Sequence, residues 1–275
     1  MRQRKIFFVK YYDKGSTVMG ADQISEALQA RGVDAQSVYP ADVESVRDAI
    51  LIFIKTSKIH HLLGARRRGN KTVLDIQDTV VFKRRIKNRW LFDGLIFKNQ
   101  RQLQDFAAPR AVNRVIYHQW DPRYRENELG DREFKIGYFG LQRSFPYFKE
   151  LPGVPCFSDE DDYYQTALGY NCHLSFREPG KDFLYKPNCK VSTAAACLAN
   201  LVTTRDESAV ELLGADYPYY GEPTPEGLLT ALEHARATFG GPEWKRGLER
   251  MREIKAKTCM DRILDEYLDF FKTLD

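Results

Sequence analysis

Six consecutive apolar residues, Ala49-Ile50-Leu51-Ile52-Phe53-Ile54, leave little choice about their surroundings. A strand with apolar side chains on both faces has to be covered on both. The architecture that does this is a parallel sheet between two layers of helices. The flanking sequence agrees. Residues 5–10 (Lys-Ile-Phe-Phe-Val-Lys) read as a buried strand, 12–20 as a glycine-containing loop, and Ile24, Ala27, Leu28 and Ala30 as one face of a helix that Gly32 stops. A short strand at 34–38 precedes the apolar run, and a helix over about 57–67 comes after it. Strands at 72–76, 94–97 and 114–118 and a helix at 99–106 continue the alternation, which predicts an open, doubly wound α/β sheet.

Residues 121–132 are polar and unpatterned, and the reading makes them a linker. The alternation restarts at 134–140 and runs through 154–157, a helix near 160–168, a strand at 172–176 and a strand-like Leu201-Val202-Thr203. From Pro223 the chain reads as helices, the last with its apolar positions over 262–271 on one face. The expected architecture is therefore α/β, with two Rossmann-like lobes at 1–125 and 133–240 and C-terminal helices at 241–275 that clasp them.

Composition narrows the partners. The formal net charge is +4, yet residues 1–132 hold 25 Lys and Arg against 15 Asp and Glu, while residues 133–275 hold 17 against 23. A basic first half calls for an anionic partner, either nucleic-acid phosphate or an anionic membrane surface. The stretch 81–92 fits both readings. Phe82, Ile86 and Trp90 recur every four residues among lysines and arginines, with Arg66, Arg67, Arg68 and Lys71 upstream. A helix that packs this stripe on the sheet, with its arginines solvated, weighs as much as both together. Five cysteines, all in the second half and without a CxxC pair, point to reduced thiols rather than disulfides or zinc. Adjacent His60 and His61 project about 100° apart on a helix, so they do not form a metal site together. No metal or other cofactor is expected. No run of 18 uncharged apolar residues occurs and the apolar stretch Ile6-Phe7-Phe8-Val9 is too short for a signal peptide, so the expected location is cytoplasmic, with a peripheral place at a membrane left open.

The chemistry concentrates in Lys186-Pro187-Asn188-Cys189-Lys190-Val191-Ser192-Thr193, ahead of an alanine run. Two lysines and two hydroxyls flank the start of a small-residue helix, with Asn188 as a candidate cap. A helix start offers unpaired N–H groups and the positive dipole end to a phosphate ester. Surface lysines beside a buried helix explain this segment alone equally well. Gly137-Tyr138-Phe139-Gly140-Leu141-Gln142-Arg143 reads as a strand ending in a glycine turn, from which Arg143 would fork onto phosphate oxygens opposite Lys190. Glu207 suits either a ribose contact or a first-turn helix acid. In the first lobe, Gly15, Ser16 and Thr17 lie in a glycine turn at a strand end, a ligand-contacting or purely structural loop that matches neither the dinucleotide fingerprint nor the Walker pattern. Asp75 and Asp78 fall at the end of a buried strand, where a carboxylate accepts a proton, orients a hydroxyl or caps the next segment of chain.

In order of parts the chain resembles GT-B-type glycosyltransferases, most like the bacterial enzymes of cell-surface polysaccharide assembly. The residues that carry the likeness are Gly15 to Gly20, Thr72 to Asp78, Gly94 to Asn99, Ile136 to Arg143, and Lys186 through Val202 and Glu207. The resemblance implies that the second lobe takes a nucleoside diphosphate sugar and the first a hydroxyl acceptor, glycan or lipid-linked. It also implies that Arg143 and Lys190 neutralise the departing diphosphate, with Lys186, Gly140, Ser192, Thr193 and Glu207 around the donor. Asp78 is the base candidate for an inverting reaction. The glutamate pair many relatives carry stands here as Lys186 and Ala194. Two further readings remain open: a nucleic-acid-associated protein or DNA-base glycosyltransferase using the basic lobe, and a catalytically silent scaffold.

Overall fold

Apolar runs become parallel strands in the first of two compact units. The computed structural model describes all residues except 1–3, 14, 79–86, 148, 150, 152, 159–161, 188 and 275. Residues 1–118 with 260–275 form one unit and residues 119–259 the other. The first unit runs β1 (Ile6–Val9), α1 (Gly15–Thr17), a π-helical stretch (Val18–Gln23), α2 (Ile24–Ala30), β2 (Ala35–Val38), β3 (Ile50–Ile54), α3 (Ile59–Arg67), β4 (Lys71–Asp75), β5 (Gly94–Phe97), α4 (Gln100–Phe106) and β6 (Val112–Val115). The sheet order is β2-β1-β3-β4-β5-β6, and every pairing is parallel. All five residues of β3 are buried, as the uninterrupted apolar run requires.

Residues 15–23 depart from the expected turn. Helical structure begins at Gly15 and continues through the π-helical stretch into α2. Gly20 serves packing: a Cβ there would lie 2.8 Å from Gln77 Nε2, so a larger residue would have to push that amide aside from its bond to Asp75. The last strand sits at Val112–Val115, set by its register with β5, and Ile116 remains buried just past its end. Of the expected helix at 81–92, Phe82 and Ile86 lie outside the described residues, and Arg89–Leu91 forms a single 3-10 turn.

The second unit runs β7 (Ile136–Phe139), β8 (Cys156–Phe157), α5 (Tyr163–Thr166), β9 (Cys172–Ser175), α6 (Lys181–Tyr185), α7 (Cys189–Ala196), β10 (Asn200–Thr204), α8 (Glu207–Leu213), β11 (Tyr220–Gly221), α9 (Pro225–Ala237) and α10 (Pro242–Lys257). Its sheet order is β11-β10-β9-β7-β8, again parallel. Side chains cap two of its helix starts. Asp206 accepts from Ala209 N at the head of α8, and Thr224 from Gly227 N at the head of α9. Each such cap is worth about 1 kcal/mol. The polar segment after residue 120 is tied down by side-chain bonds within this unit, with Asn127 Nδ2 donating to Cys197 O and Leu198 O at 3.0 and 2.8 Å.

The final helix, α11 (Met260–Lys272), belongs to the first unit. It is strongly amphipathic. Ile263, Leu264, Tyr267, Phe270 and Phe271 face a core shared with Ile6, Phe8, Ile52, Val73 and Ile96. Gly94 leaves room for that helix, since a Cβ there would come within 2.6 Å of the Phe270 ring. Among the described residues no helix is long and apolar enough to cross a membrane.

Candidate functional site

From β7 the chain passes first to β8 on one side and then to β9 on the other. Strand order therefore reverses between β7 and β9, and their carboxyl ends part to leave the crevice where open α/β sheets take ligands. A cavity of about 650 Å³ lies there. Its walls come from the loop after β7 (Ser144, Pro146), the end of β9 and its loop (Ser175 to Gly180), and the start of α7 (Lys186, Pro187, Cys189, Lys190).

Lys190 is the chemical centre of this cavity. Its Nζ donates to Phe139 O at the end of β7 and lies 3.9 Å from the centroid of the Tyr138 ring. Burial against ring and backbone, and then the nearby Arg177 cation, lower the amine from its usual range to about 7. Gly140 makes this seat possible: its φ is +152°, and a Cβ would fall 2.5 Å from the Lys190 nitrogen. Beneath lies His173 of β9, its ring centroid 4.5 Å from that of Phe139, buried and held neutral with a pKa lowered to about 3 by burial and then by Lys190.

Arg177 went unrecognised in the sequence. Its Nη2 donates to Pro187 O at 3.0 Å and its Nη1 to Lys186 O at 3.1 Å, while Asp206 Oδ2 sits 3.4 Å away without a directional bond. Ser208 Oγ lies 3.0 Å from the same Lys186 carbonyl and 2.8 Å from Asp206 Oδ1, and its single proton serves one of the two acceptors. One planar guanidinium thus ties the segment before α7 to the strand ends below it and fixes the lysines over the cavity. The signal that could have found it is its place directly after an apolar strand beside the order reversal.

The other expected residues are spread more widely. Lys186 and Lys190 both line the cavity, and Gly140 underlies Lys190. Ser192 is buried in α7, Thr193 is half-buried, and neither is among the lining residues. Glu207 is exposed at the first position of α8 and also stands outside the lining; the buried neighbour Asp206 is the cap. Arg143 lies in a 3-10 turn, Gln142–Ser144, and its side chain and all of Asn188 are outside the described residues.

The first unit has the same order reversal, between β1 and β3. Gly15 is exposed there with φ +31°, Ser16 is half-buried, and buried Thr17 donates its hydroxyl to Tyr12 O at 2.8 Å. Asp78 lies 3.0 Å from Lys55 Nζ. Asp75 is wholly buried and accepts from Tyr267 OH at 2.7 Å, Gln77 Nε2 at 2.8 Å and Lys98 Nζ at 3.0 Å. It is a structural anion, with its acceptor sites filled by the protein itself. His61 Nδ1 pairs with Tyr11 OH at 2.9 Å.

No protein-family model and no curated protein matches the sequence. Solved structures do match over nearly the whole chain. A glycosyltransferase from Rickettsia africae superposes with a TM-score of 0.70 at 12% identity, covering 100% of this chain and 99% of that one. Anabaena HepE in complex with UDP and glucose gives 0.67 at 11% identity, over 98% and 100%. A sucrose-phosphate synthase from Thermosynechococcus elongatus gives 0.73 at 11% identity, over 99% of each. At such identities the likeness is one of fold, which is why sequence comparison alone is silent. The chain has the GT-B fold, two α/β units each built on a parallel sheet, and in that fold it resembles the GT-B glycosyltransferases.

Proposed function

We propose that the protein is a glycosyltransferase that moves a sugar from a nucleoside diphosphate sugar to a hydroxyl acceptor, glycan or lipid-linked. The observation that carries this reading is the cavity between the ends of β7 and β9, with Lys186, Lys190 and the start of α7 on its wall. A diphosphate bound there meets two lysines and the positive dipole end of a helix. Its charge grows as the glycosidic bond breaks, so fixed donors stabilise the transition state more than the ground state. That Anabaena HepE is known in complex with UDP and with UDP-glucose agrees with a nucleotide sugar as donor.

In this scheme Lys190 moves from Phe139 O and the Tyr138 face onto the diphosphate, and Arg177 holds the loop that carries Lys186. Arg143, after the turn that Gly140 begins, is a second candidate for the phosphates. For an inverting reaction Asp78 is the candidate base on the first unit, where Lys55 partners its carboxylate. A retaining reaction needs no such group. The scheme assigns charge neutralisation to side chains and helix start, with no metal ion.

The test is a thermal-shift panel of UDP, GDP, CDP, ADP and dTDP with their sugars. At a hundredfold excess over Kd, binding adds about 2.7 kcal/mol to stability, a shift of several degrees. We expect at least one nucleotide to give such a shift and Lys190→Ala to cut it by about half or more. A flat response to every member would overturn the transferase reading and leave the silent scaffold.

A further inference from the structure

Among the described residues of the first unit, three of the four exposed large apolar side chains lie on two neighbouring elements, and the fourth, Tyr39, donates its hydroxyl to Asp13. On α3, Ile59 and Leu63 are 41% and 38% exposed and one helical turn apart, while Leu62 and Ala65 on the opposite side are buried. Trp90, in the 3-10 turn Arg89–Leu91, is 57% exposed. Arg66 joins the two elements, since its Nη1 donates to Leu91 O and, at 3.0 Å, to Asp93 Oδ1. The outer face of α3 and the Trp90 turn therefore belong to one surface.

Its charge is one-sided. Lys58, Arg66, Arg67 and Lys87 are exposed around these side chains. Between residues 58 and 93 the described residues include seven Lys and Arg against Asp75, Asp78 and Asp93. Asp75 and Asp78 are paired with Lys98 and Lys55 and Asp93 with Arg66, so none of the three offsets Lys58, Arg67 or Lys87.

We propose that this face of the first unit docks on an anionic lipid bilayer. Aliphatic side chains standing beside an exposed tryptophan suit the boundary between headgroups and acyl chains, where tryptophan is at home and long cationic side chains reach back to phosphates. Nucleic acid would draw the same cations but has no use for exposed Ile59 and Leu63 beyond stacking surfaces. The docking is independent of the donor cavity, which lies in the other unit.

Sedimentation of the full chain with vesicles separates the outcomes. Phosphatidylcholine vesicles containing phosphatidylglycerol should carry the protein down, phosphatidylcholine alone should not, and high salt should release it. The triple variant Ile59→Ser, Leu63→Ser, Trp90→Ser should lose at least about tenfold in vesicle affinity. Arg67→Gln and Lys87→Gln, which disturb no core contact, should each cost about fivefold. Acyl-brominated lipid should quench tryptophan fluorescence in the native chain and less in Trp90→Phe. Nucleotide-induced thermal shifts should persist in every variant, which keeps failure here distinct from failure of the transferase reading. Absence of binding to anionic vesicles, binding indifferent to these variants, or displacement of the protein from vesicles by duplex DNA at lower concentration would each overturn the proposal.

Discussion

The two units share one sheet topology and use its crevice in opposite ways. In both, strand order reverses beside the first strand, so each has ends of strands that part to face a ligand. In the second unit that place is a cavity of about 650 Å³ edged by lysines. In the first, the adjoining strand ends are knit together by the protein's own groups: buried Asp75 takes three donors, and Gly20 brings a helix against Gln77. The charges also part company. The first unit holds 24 Lys and Arg against 16 Asp and Glu, the second 18 against 22. Topology thus sets where a ligand can go, and the local filling decides whether polar groups are spent on structure or left to a ligand. The more acidic unit has the lysine-edged cavity, so the net charge of a unit does not tell where its cations gather.

The largest effect should come from the buried anion of the first unit. Lys98→Met leaves Asp75 without its cation in a fully buried position, and we expect a loss of about 3–5 kcal/mol, measured by denaturant unfolding. Unchanged stability would show that Asp75 is not the structural group the contrast requires. Next is Lys190→Ala, which removes the proposed charge-assisted partner of a diphosphate and should weaken nucleotide binding by about 10- to 100-fold, read by calorimetry. Arg177→Lys keeps the charge but not the fork that spans Lys186 O and Pro187 O, and a loss of about tenfold is expected. If Arg177→Lys binds like the native protein, the loop before α7 is positioned by something else.

The pH dependence arises from the Lys190 amine, lowered to about 7 in the free protein. A bound diphosphate keeps that amine protonated, so above pH 7 the complex carries more protons than the free protein. Affinity should be level below about pH 6 and fall as the pH rises from about 7 to 9, by at most about tenfold per unit. Calorimetry in buffers of different ionisation heat should show proton uptake near pH 8, absent in Lys190→Arg. The smallest effect should be that of Glu207→Gln. An exposed first-turn acid is worth within about 0.5 kcal/mol, so binding should change no more than about twofold. A tenfold loss would instead restore the ribose contact that the sequence allowed.

Most of the strands were legible because the signal is local. A strand buried on both faces has to be apolar throughout, and β3 and β5 are. Residues 15–23 were not, because their two glycines resemble a turn; in the fold one opens a helix and the other admits a close neighbour. The lysines of the cavity stood out by their spacing before a small-residue helix. Arg177 did not, since its partners are the carbonyls of residues 186 and 187, brought near only by the loop folding back.

By itself the sequence determined that this chain forms parallel sheets with helices on both faces, that its first half is basic, and that Lys186 and Lys190 stand at the head of a helix. Each of these is a matter of neighbours along the chain. Tertiary structure alone decided that Asp75 is consumed in the core, that Glu207 stands outside the cavity, and that the Lys190 amine is held over Tyr138 in the space left by Gly140. These depend on which side chains meet across strands and loops distant in sequence, and whether a polar group is satisfied or available is settled only by those meetings.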